Sequence, residues 1–358
     1  MQVGIIGLPN VGKSTIFNTL TKAGAEVANY PFCTIEPNVG IINVPDDNLS
    51  GLSKIYNSPK ITPATIRVMD VAGLVKGASR GEGLGNKFLS HIRAVDIVTH
   101  IVRCFYDENV SHVKEDINPA DDIDIINTEL LLSDIEILQR RREKLIIAAK
   151  SGGSKAKSEL DLVDSLIDRF NQEKFLDLKE LEERQNELIR DLNLLSIKPT
   201  LYVANMGEGE EGKNLYRRLV EKVGEESVIK IYAKLESEIA ELPEDERDEY
   251  AKELGIESSG LDNFIKICHR MLNLITFYTI NENETRAWSI ERGREATDAA
   301  GKVHSDMEKG FIKAEVISCK ELLELGSIHK AKEEGKLRIE GKDYVVQDRD
   351  VIQIRFSV

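Results

Sequence analysis

The sequence is poor in cysteine, has no long apolar run and carries too little positive charge to balance its acidic residues. Its four cysteines are far apart and form no Cys-x-x-Cys pair, which predicts neither a disulfide framework nor a zinc site. No apolar run approaches the roughly 20 residues that a membrane helix needs, and the chain starts without the basic and apolar regions of a signal peptide. We therefore expect a cytoplasmic protein that does not bind membranes.

Acidic residues outnumber basic ones by 62 to 48, which gives a formal net charge of −14. This charge disfavours indiscriminate nucleic-acid binding, because such binding strengthens with the number of phosphates that a protein neutralises. Any RNA contact must then use a local basic patch. A hydrophobic content of 41% indicates a globular chain, and 358 residues exceed what one core usually serves, so two or three units are expected.

The first motif is a glycine-rich turn between a short apolar run and a helical pattern, Gly7-Leu8-Pro9-Asn10-Val11-Gly12-Lys13-Ser14. A strand, turn and helix in this order direct backbone N–H groups and a helix N-terminus to one spot, where they can cradle the β-phosphate of a nucleotide. Lys13 can reach the β- and γ-phosphates, and the Ser14 hydroxyl can bind Mg²⁺. The motif predicts a P-loop in which Lys13 serves both binding and catalysis.

Two further motifs fit a switch that senses the γ-phosphate. Asp70-Val71-Ala72-Gly73 ends an apolar strand pattern, so that Asp70 can hold Mg²⁺ through water and the Gly73 N–H can donate to the γ-phosphate. Thr34 lies between the two motifs and can complete the Mg²⁺ shell when a γ-phosphate is present.

The catalytic group is not evident, because Leu74 stands where Ras-like GTPases carry the glutamine that orients the attacking water. We therefore expect slow intrinsic hydrolysis, or hydrolysis that depends on another group. His112 is the first candidate, ahead of His91 and Asn86.

Base selection is predicted at Asn205-Met206-Gly207-Glu208, which follows a strand pattern as the NKxD element of GTPases does. The aspartate of NKxD accepts two hydrogen bonds from guanine, whereas the carboxylate of Glu208 stands one methylene further out, and Met206 offers apolar cover without charge. Ala233 lies where a last base-contacting loop is expected. Loss of a fixed carboxylate relaxes the rejection of adenine, so we predict that ATP binds at least as well as GTP.

The order of patterns predicts an α/β fold, a doubly wound and mostly parallel P-loop NTPase sheet. Glycine and proline nearly vanish over residues 118–195, where apolar residues recur at three- and four-residue steps, which predicts an inserted antiparallel helical coiled-coil hairpin. From about residue 276, strand patterns around one helix predict a small curved mixed sheet. The predicted domains are thus 1–275, with the hairpin at 118–195, and 276–358.

The basic run from Arg140 to Lys144 is exceptional in this acidic chain and lies on the first arm of the hairpin. It is a candidate contact for rRNA or an acidic protein surface. A purely structural coiled-coil arm is the alternative.

The stretches GLPNVGKST, NYPFCTIEPN, DVAGLVKGASRGEGLGNKFL and NMGE, with the hairpin and the C-terminal β unit, resemble the YchF/Obg-like ATPase family of the Obg group of TRAFAC P-loop GTPases. The resemblance spans essentially the full length. It implies a G domain, a coiled-coil insertion and a C-terminal TGS domain of β-grasp fold. It also implies ATP hydrolysis in preference to GTP, association with ribosomes, and a role in translation and stress responses.

The resemblance also implies which residues bind the ligands. Carried over by position, Mg²⁺ falls on Ser14 and Thr34, and the nucleotide contacts fall on Asn10, Val11, Gly12, Lys13, Ser14, Thr15, Asn205 and Met206. Related NTPases with an asparagine at the position of Asn10 can use K⁺, which makes K⁺ a candidate second cation.

Two other functions stay open. One is a nucleotide-dependent binding module with negligible turnover, which Leu74 favours, and the other is a GTPase of the Obg type. A metabolic kinase is disfavoured, because no second small-substrate pocket is suggested. We expect a monomer.

Overall fold

The computed structural model describes residues 1–25, 38–71, 84–110, 116–150, 154–172, 189, 191–243, 246–247, 250 and 259–357. These residues form two compact units, one within 1–19, 36–39 and 68–248, the other within 20–35, 40–67 and 249–358. Three predicted site residues, Thr34, Gly73 and His112, lie outside the described residues, as does Leu74.

The first sheet has six strands, which are β1 (Gln2–Ile6), β2 (Val39–Asn43), β4 (Thr65–Asp70), β5 (Ile97–Cys104), β6 (Thr200–Met206) and β7 (Val228–Ile231). Their order is β2-β4-β1-β5-β6-β7, and the pairs β1/β5, β5/β6 and β6/β7 are parallel. Every residue of β5 is buried, as expected of a central strand covered by helices on both faces. The predicted doubly wound, mostly parallel sheet is confirmed.

Eight helices of at least nine residues are described before residue 272: α1 (Lys13–Ala25), α2 (Asn48–Tyr56), α3 (Leu84–Ala94), α4 (Pro119–Lys150), α5 (Ser154–Asn171), Gly209–Val223, Ala233–Glu241 and Gly260–Met271. None of the described helices is long and apolar enough to cross a membrane.

The helices α4 and α5 flank residues 151–153 and pack against each other, as the hairpin prediction requires. Their shared core includes Leu138, Val163 and Phe170, all almost fully buried. A salt bridge joins Arg141 to Glu159, and a second arginine of α4 forms another salt bridge with an aspartate of α5. The apolar seam and the flanking salt bridges together hold the two arms side by side.

The second sheet combines β3 (Lys60–Thr62) with the C-terminal strands β8 (Leu274–Ile280), β9 (Glu284–Glu291), β10 (Phe311–Ser318), β11 (Arg338–Glu340) and β12 (Asp350–Phe356). Its order is β11-β10-β12-β8-β9-β3, and both parallel and antiparallel pairs occur, as expected for a mixed sheet.

Two features of this unit differ from the prediction. The described part holds four short helices instead of one, at Ala296–Val303, Ser305–Lys309, Cys319–Leu325 and Ile328–Glu333. In addition, β3 joins the sheet from far upstream by pairing parallel with β9, where the Thr62 hydroxyl donates to Glu284 Oε1 at 2.6 Å. A strand of three residues is too short for a periodicity to reveal, so its pairing depends on the tertiary structure alone.

Candidate functional site

The glycine-rich turn runs from the end of β1 to the first turn of α1. Gly12 has φ of +96°, and a Cβ atom at this position would lie 2.2 Å from Asn205 Nδ2. Only glycine therefore allows the turn to approach the end of β6 so closely. Around it Asn10, Ser14 and Thr15 are exposed, while Val11 is buried.

Lys13, the first residue of α1, is buried beneath the turn and is only 8% exposed. Its Nζ donates to the carbonyl oxygens of Gly7 at 3.0 Å and of Leu8 at 2.7 Å. Burial lowers the pKa of Lys13 to about 8, and the nearby Asp70 carboxylate opposes this shift. The ammonium is thus held at the loop by neutral acceptors, in a position from which a phosphate can take it over.

Asp70 ends β4 beside the turn, and the Ser14 hydroxyl hydrogen-bonds its carboxylate. Burial raises the pKa of Asp70, whereas Lys13 and Ser14 lower it. Within the part of the chain that the structure describes, Asp70 Oδ1 is buried and has no hydrogen-bond partner. A hydroxyl and an orphaned carboxylate oxygen side by side fit Mg²⁺, which takes oxygen ligands and keeps several waters.

Asn205, at the end of β6, connects the P-loop to the segment after β7. Its Nδ2 donates to the Val11 carbonyl at 2.9 Å, and its Oδ1 accepts from the Ala233 N–H at 3.2 Å. The side chain is 5% exposed, so both bonds are shielded from water. Three predicted binding segments are thereby brought together by one amide.

Met206 and Glu208, the other predicted base contacts of the motif, take no part in these two hydrogen bonds. Met206 is buried in a hydrophobic cluster with Leu215 and Leu219, so its predicted role as cover for the base stays a prediction. Glu208 is exposed and extended just before the helix Gly209–Val223, and its side chain makes no capping hydrogen bond among the described residues.

Arg103 is a residue of this region that the sequence analysis missed. It is 1% exposed, yet its guanidinium donates to the carbonyl oxygens of Phe105 and Val110, both at 3.1 Å, and stacks on the Phe105 ring. Phe105 in turn abuts Gly207, where an added Cβ would lie 2.7 Å from the Phe105 Cβ. Arg103 therefore supports the wall against which the base motif packs. A basic residue in an otherwise buried strand is the signal that could have revealed it.

His100 is a second missed group, fully buried in β5 below the P-loop. Burial and the charge of Lys13 lower its pKa to about 3, so the imidazole stays neutral. Its Nε2 has no hydrogen-bond partner among the described residues. A neutral ring here spares Lys13 a competing positive charge.

The C-terminal end of α3 is bonded to the base of the hairpin. Arg93 donates to Ser133 Oγ at 2.8 Å on α4 and to the Asn193 carbonyl at 3.1 Å. Asp134 is fully buried and accepts from the backbone N–H groups of Leu195 and Ser196, each at 2.8 Å. Arg93 also lies 4.0 Å from the Asp134 carboxylate, so a hydrogen bond and an ion pair join the end of α3 to α4.

The arrangement defines a class of protein. A strand of a parallel sheet leads through a glycine-rich turn into a helix. A buried lysine, a carboxylate on the neighbouring strand and a bridging asparagine lie around the turn. Together these features define a P-loop NTPase.

Comparisons with known proteins give the family. Residues 2–150 match the family MMR_HSR1, described as a 50S ribosome-binding GTPase, and residues 274–357 match YchF-GTPase_C, described as a protein of unknown function. The chain is 49% identical over 364 residues to the ribosome-binding ATPase YchF of Bacillus subtilis, covering 100% of both. It is 45% identical over 360 residues to the protein of that name from Escherichia coli O157:H7, covering 100% of this chain and 99% of the relative.

A solved structure agrees with the sequence comparison. The Schizosaccharomyces pombe YchF GTPase superposes with a TM-score of 0.86 at 34% identity, covering 99% of this chain and 97% of that one. The chain belongs to the YchF family.

Proposed function

We propose that this protein is a ribosome-binding ATPase that converts ATP and water to ADP and phosphate at the P-loop. The proposal rests on the geometry of the site, where the Lys13 ammonium and the unpaired buried oxygen of Asp70 lie together at a glycine-rich turn in the described part of the chain. Full-length relatives named ribosome-binding ATPase support it.

Each site residue has a proposed task. Lys13 leaves its carbonyl acceptors to neutralise the β- and γ-phosphates, and Asn205 keeps the P-loop and the Ala233 segment in register around the nucleotide. Gly73 is proposed to donate its N–H to the γ-phosphate, and His112 to act on the attacking water in place of the glutamine that Leu74 replaces. The last two tasks rest on the sequence pattern.

Mg²⁺ is the proposed cofactor, held by Ser14, Thr34 and, through water, Asp70. Bound there, it would draw charge from the β- and γ-phosphates during transfer. We also propose K⁺ beside Asn10, on the basis of the family resemblance. Replacing K⁺ by Na⁺ in the hydrolysis assay tests it, because a rate that does not change removes K⁺ from the mechanism.

Phosphate release separates an ATPase from a binding module. Lys13→Ala is expected to abolish turnover, whereas the matched control Lys54→Ala, which removes an exposed lysine of α2, should leave it unchanged. Equal rates for Lys13→Ala and the wild type, or none for either protein, would instead favour a module that uses the nucleotide as a structural ligand.

The proposed preference for ATP over GTP rests on Glu208 and Met206, because neither reproduces the guanine contacts of NKxD. Equilibrium titration should find ATP at least as tight as GTP. Glu208→Asp combined with Met206→Lys should shift the preference toward GTP. GTP binding to the wild type about tenfold tighter or more would contradict the proposal and favour an Obg-type GTPase.

We also propose that the nucleotide state reaches the ribosome through the hairpin, because Arg93 of α3 hydrogen-bonds Ser133 and forms an ion pair with Asp134 at its base. Co-sedimentation with ribosomes should then depend on ATP or a non-hydrolysable analogue. An rRNA contact at Arg140–Lys144 remains a proposal that the salt bridges Arg141–Glu159 and Arg142–Asp164 weaken, since they neutralise part of the patch. Binding that does not fall with added salt would exclude it.

The remaining proposals concern organisation. We propose the division into 1–275, an inserted hairpin at 118–195 and a TGS domain at 276–358, with a monomeric, cytoplasmic protein. Analytical ultracentrifugation tests the monomer, and limited proteolysis tests the boundaries.

A further inference from the structure

The second unit contains a polar cavity of about 470 Å³ that none of the P-loop residues lines. Four basic side chains surround it, those of Lys266, Arg270, Arg292 and Arg349, and we call it the arginine pocket. Its size falls within the range of sites for small ligands, which is roughly 300–1,000 Å³.

The floor of the arginine pocket is built from hydrogen-bonded groups, of which Tyr278 and Thr276 are buried. The Tyr278 hydroxyl, on a side chain that is 1% exposed, donates to Asp46 Oδ2 at 2.7 Å, and the Asn48 amide donates to the other oxygen at 3.0 Å. Asp348 accepts from the Thr276 backbone N–H at 2.9 Å. Two of the three lining carboxylates are therefore already engaged within the floor.

The cations are not engaged in the same way. Among the described residues, no carboxylate lies within salt-bridge distance of Lys266, Arg270, Arg292 or Arg349, although carboxylates line the same cavity. Salt bridges are common elsewhere in this unit, as between Arg294 and Glu291 at 2.9 Å. The guanidinium forks of the pocket thus remain available to a ligand.

Arg349 provides an independent observation. Six described residues other than glycine have a left-handed backbone, and Arg349, at φ of +65°, is the only one of them that is not an asparagine. Its N–H donates to the Thr276 carbonyl at 2.6 Å, and its carbonyl accepts from the Cys319 N–H at 2.8 Å. An arginine has no conformational advantage in this position, which glycine or asparagine would adopt more easily. We therefore attribute the arginine at position 349 to a function of its side chain.

We infer that the arginine pocket binds a small phosphorylated molecule of nucleotide size, separately from the P-loop nucleotide. Guanidinium groups match the oxygens of a phosphate or diphosphate in paired hydrogen bonds. The Asp47 carboxylate and the Asp348 oxygen that the Thr276 N–H does not use offer acceptors for N–H or O–H groups on the rest of the ligand. The inference does not depend on hydrolysis at the P-loop.

Calorimetric titration with inorganic pyrophosphate tests it, in Mg²⁺-free buffer so that the probe is not chelated. Wild-type protein should bind pyrophosphate at two sites, and Lys13→Ala, which disables the P-loop, should keep one. In the Lys13→Ala background, adding Arg349→Gly or Arg270→Gln should weaken that remaining site by about tenfold or more, because each removes a charge-assisted pair. Adding Arg294→Gln, a change to an exposed arginine outside the pocket, should not.

Folding is controlled within the same set. Glycine tolerates the backbone of Arg349, so Arg349→Gly should unfold at the same or a higher temperature than its parent. Loss of all pyrophosphate binding in Lys13→Ala would overturn the inference, as would equal weakening by Arg294→Gln. A short single-stranded RNA that binds through Arg349 when pyrophosphate does not would also overturn it, because the cavity would then be part of a nucleic-acid surface.

Discussion

Replacing Asn205 by Asp tests whether one amide holds the nucleotide site together. The two side chains have the same shape, but the atom that faces the Val11 carbonyl at 2.9 Å becomes an oxygen without a proton to donate. The bond from the Ala233 N–H at 3.2 Å can persist, because an acceptor remains on that side. The substitution therefore breaks the P-loop half of the bridge and spares the other half.

The expected cost follows from the burial of the site, since Asn205 is 5% and Val11 is 1% exposed. A buried carbonyl that loses its donor costs about 1–3 kcal/mol, and the second acceptor placed against it adds repulsion. We take about 2 kcal/mol, which corresponds to about 30-fold weaker nucleotide binding when the intact bridge is required for binding.

Titration with a fluorescent ATP analogue measures this loss, and Asn214→Asp, on the exposed face of the helix Gly209–Val223, is the matched control. Lowering the pH should partly rescue Asn205→Asp but not the wild type, because a protonated Asp can again donate to Val11. A folded Asn205→Asp variant that binds within about threefold of the wild type would refute the bridging role.

Three further results are expected. Since the pKa of Lys13 is lowered to about 8, nucleotide affinity should fall as pH rises above that value. The stability of the nucleotide-free protein should rise over the same range, because the lysine of the unfolded chain keeps its proton to a higher pH. A flat binding profile from about pH 7 to 9.5 would contradict this. Asp134→Asn should cost about 3 kcal/mol in urea unfolding, because the amide nitrogen of Asn cannot accept from one of the two backbone N–H groups that the carboxylate now satisfies. A cost below about 1 kcal/mol would be too small for that network. Gly207→Ala should weaken nucleotide binding by about fivefold or more, because the Cβ of the new alanine would lie 2.7 Å from Phe105. The control Gly341→Ala, which has open space around it, should bind the nucleotide as the wild type does.

The sequence predicted β1, β4, β5, β6, β7 and the two arms of the hairpin because these have strong local periodicities, but it did not predict β2. The buried run of β5 and the heptad-like steps of α4 and α5 need no knowledge of distant residues. The pairing of β3 with β9 could not be predicted, since a three-residue strand has no period to detect.

The candidate site divides in the same way. Lys13, Ser14 and Asp70 are recognisable because each belongs to a motif with a fixed spacing. Asn205 was assigned to the base, whereas the structure also bonds it to the P-loop at Val11.

The sequence by itself determined a phosphate-binding turn and its place in a parallel sheet, because glycine spacing and apolar periodicity act over a few residues. The tertiary structure alone decided which distant groups meet. It set Arg103 against the wall of the base motif and joined Arg93 of α3 to Ser133 and Asp134 of the hairpin. Within the part of the chain that the structure describes, it also left the Arg349 guanidinium without a salt bridge at a polar cavity. Burial and hydrogen bonding between segments far apart in the chain produce these features, and such contacts leave no local pattern in the sequence.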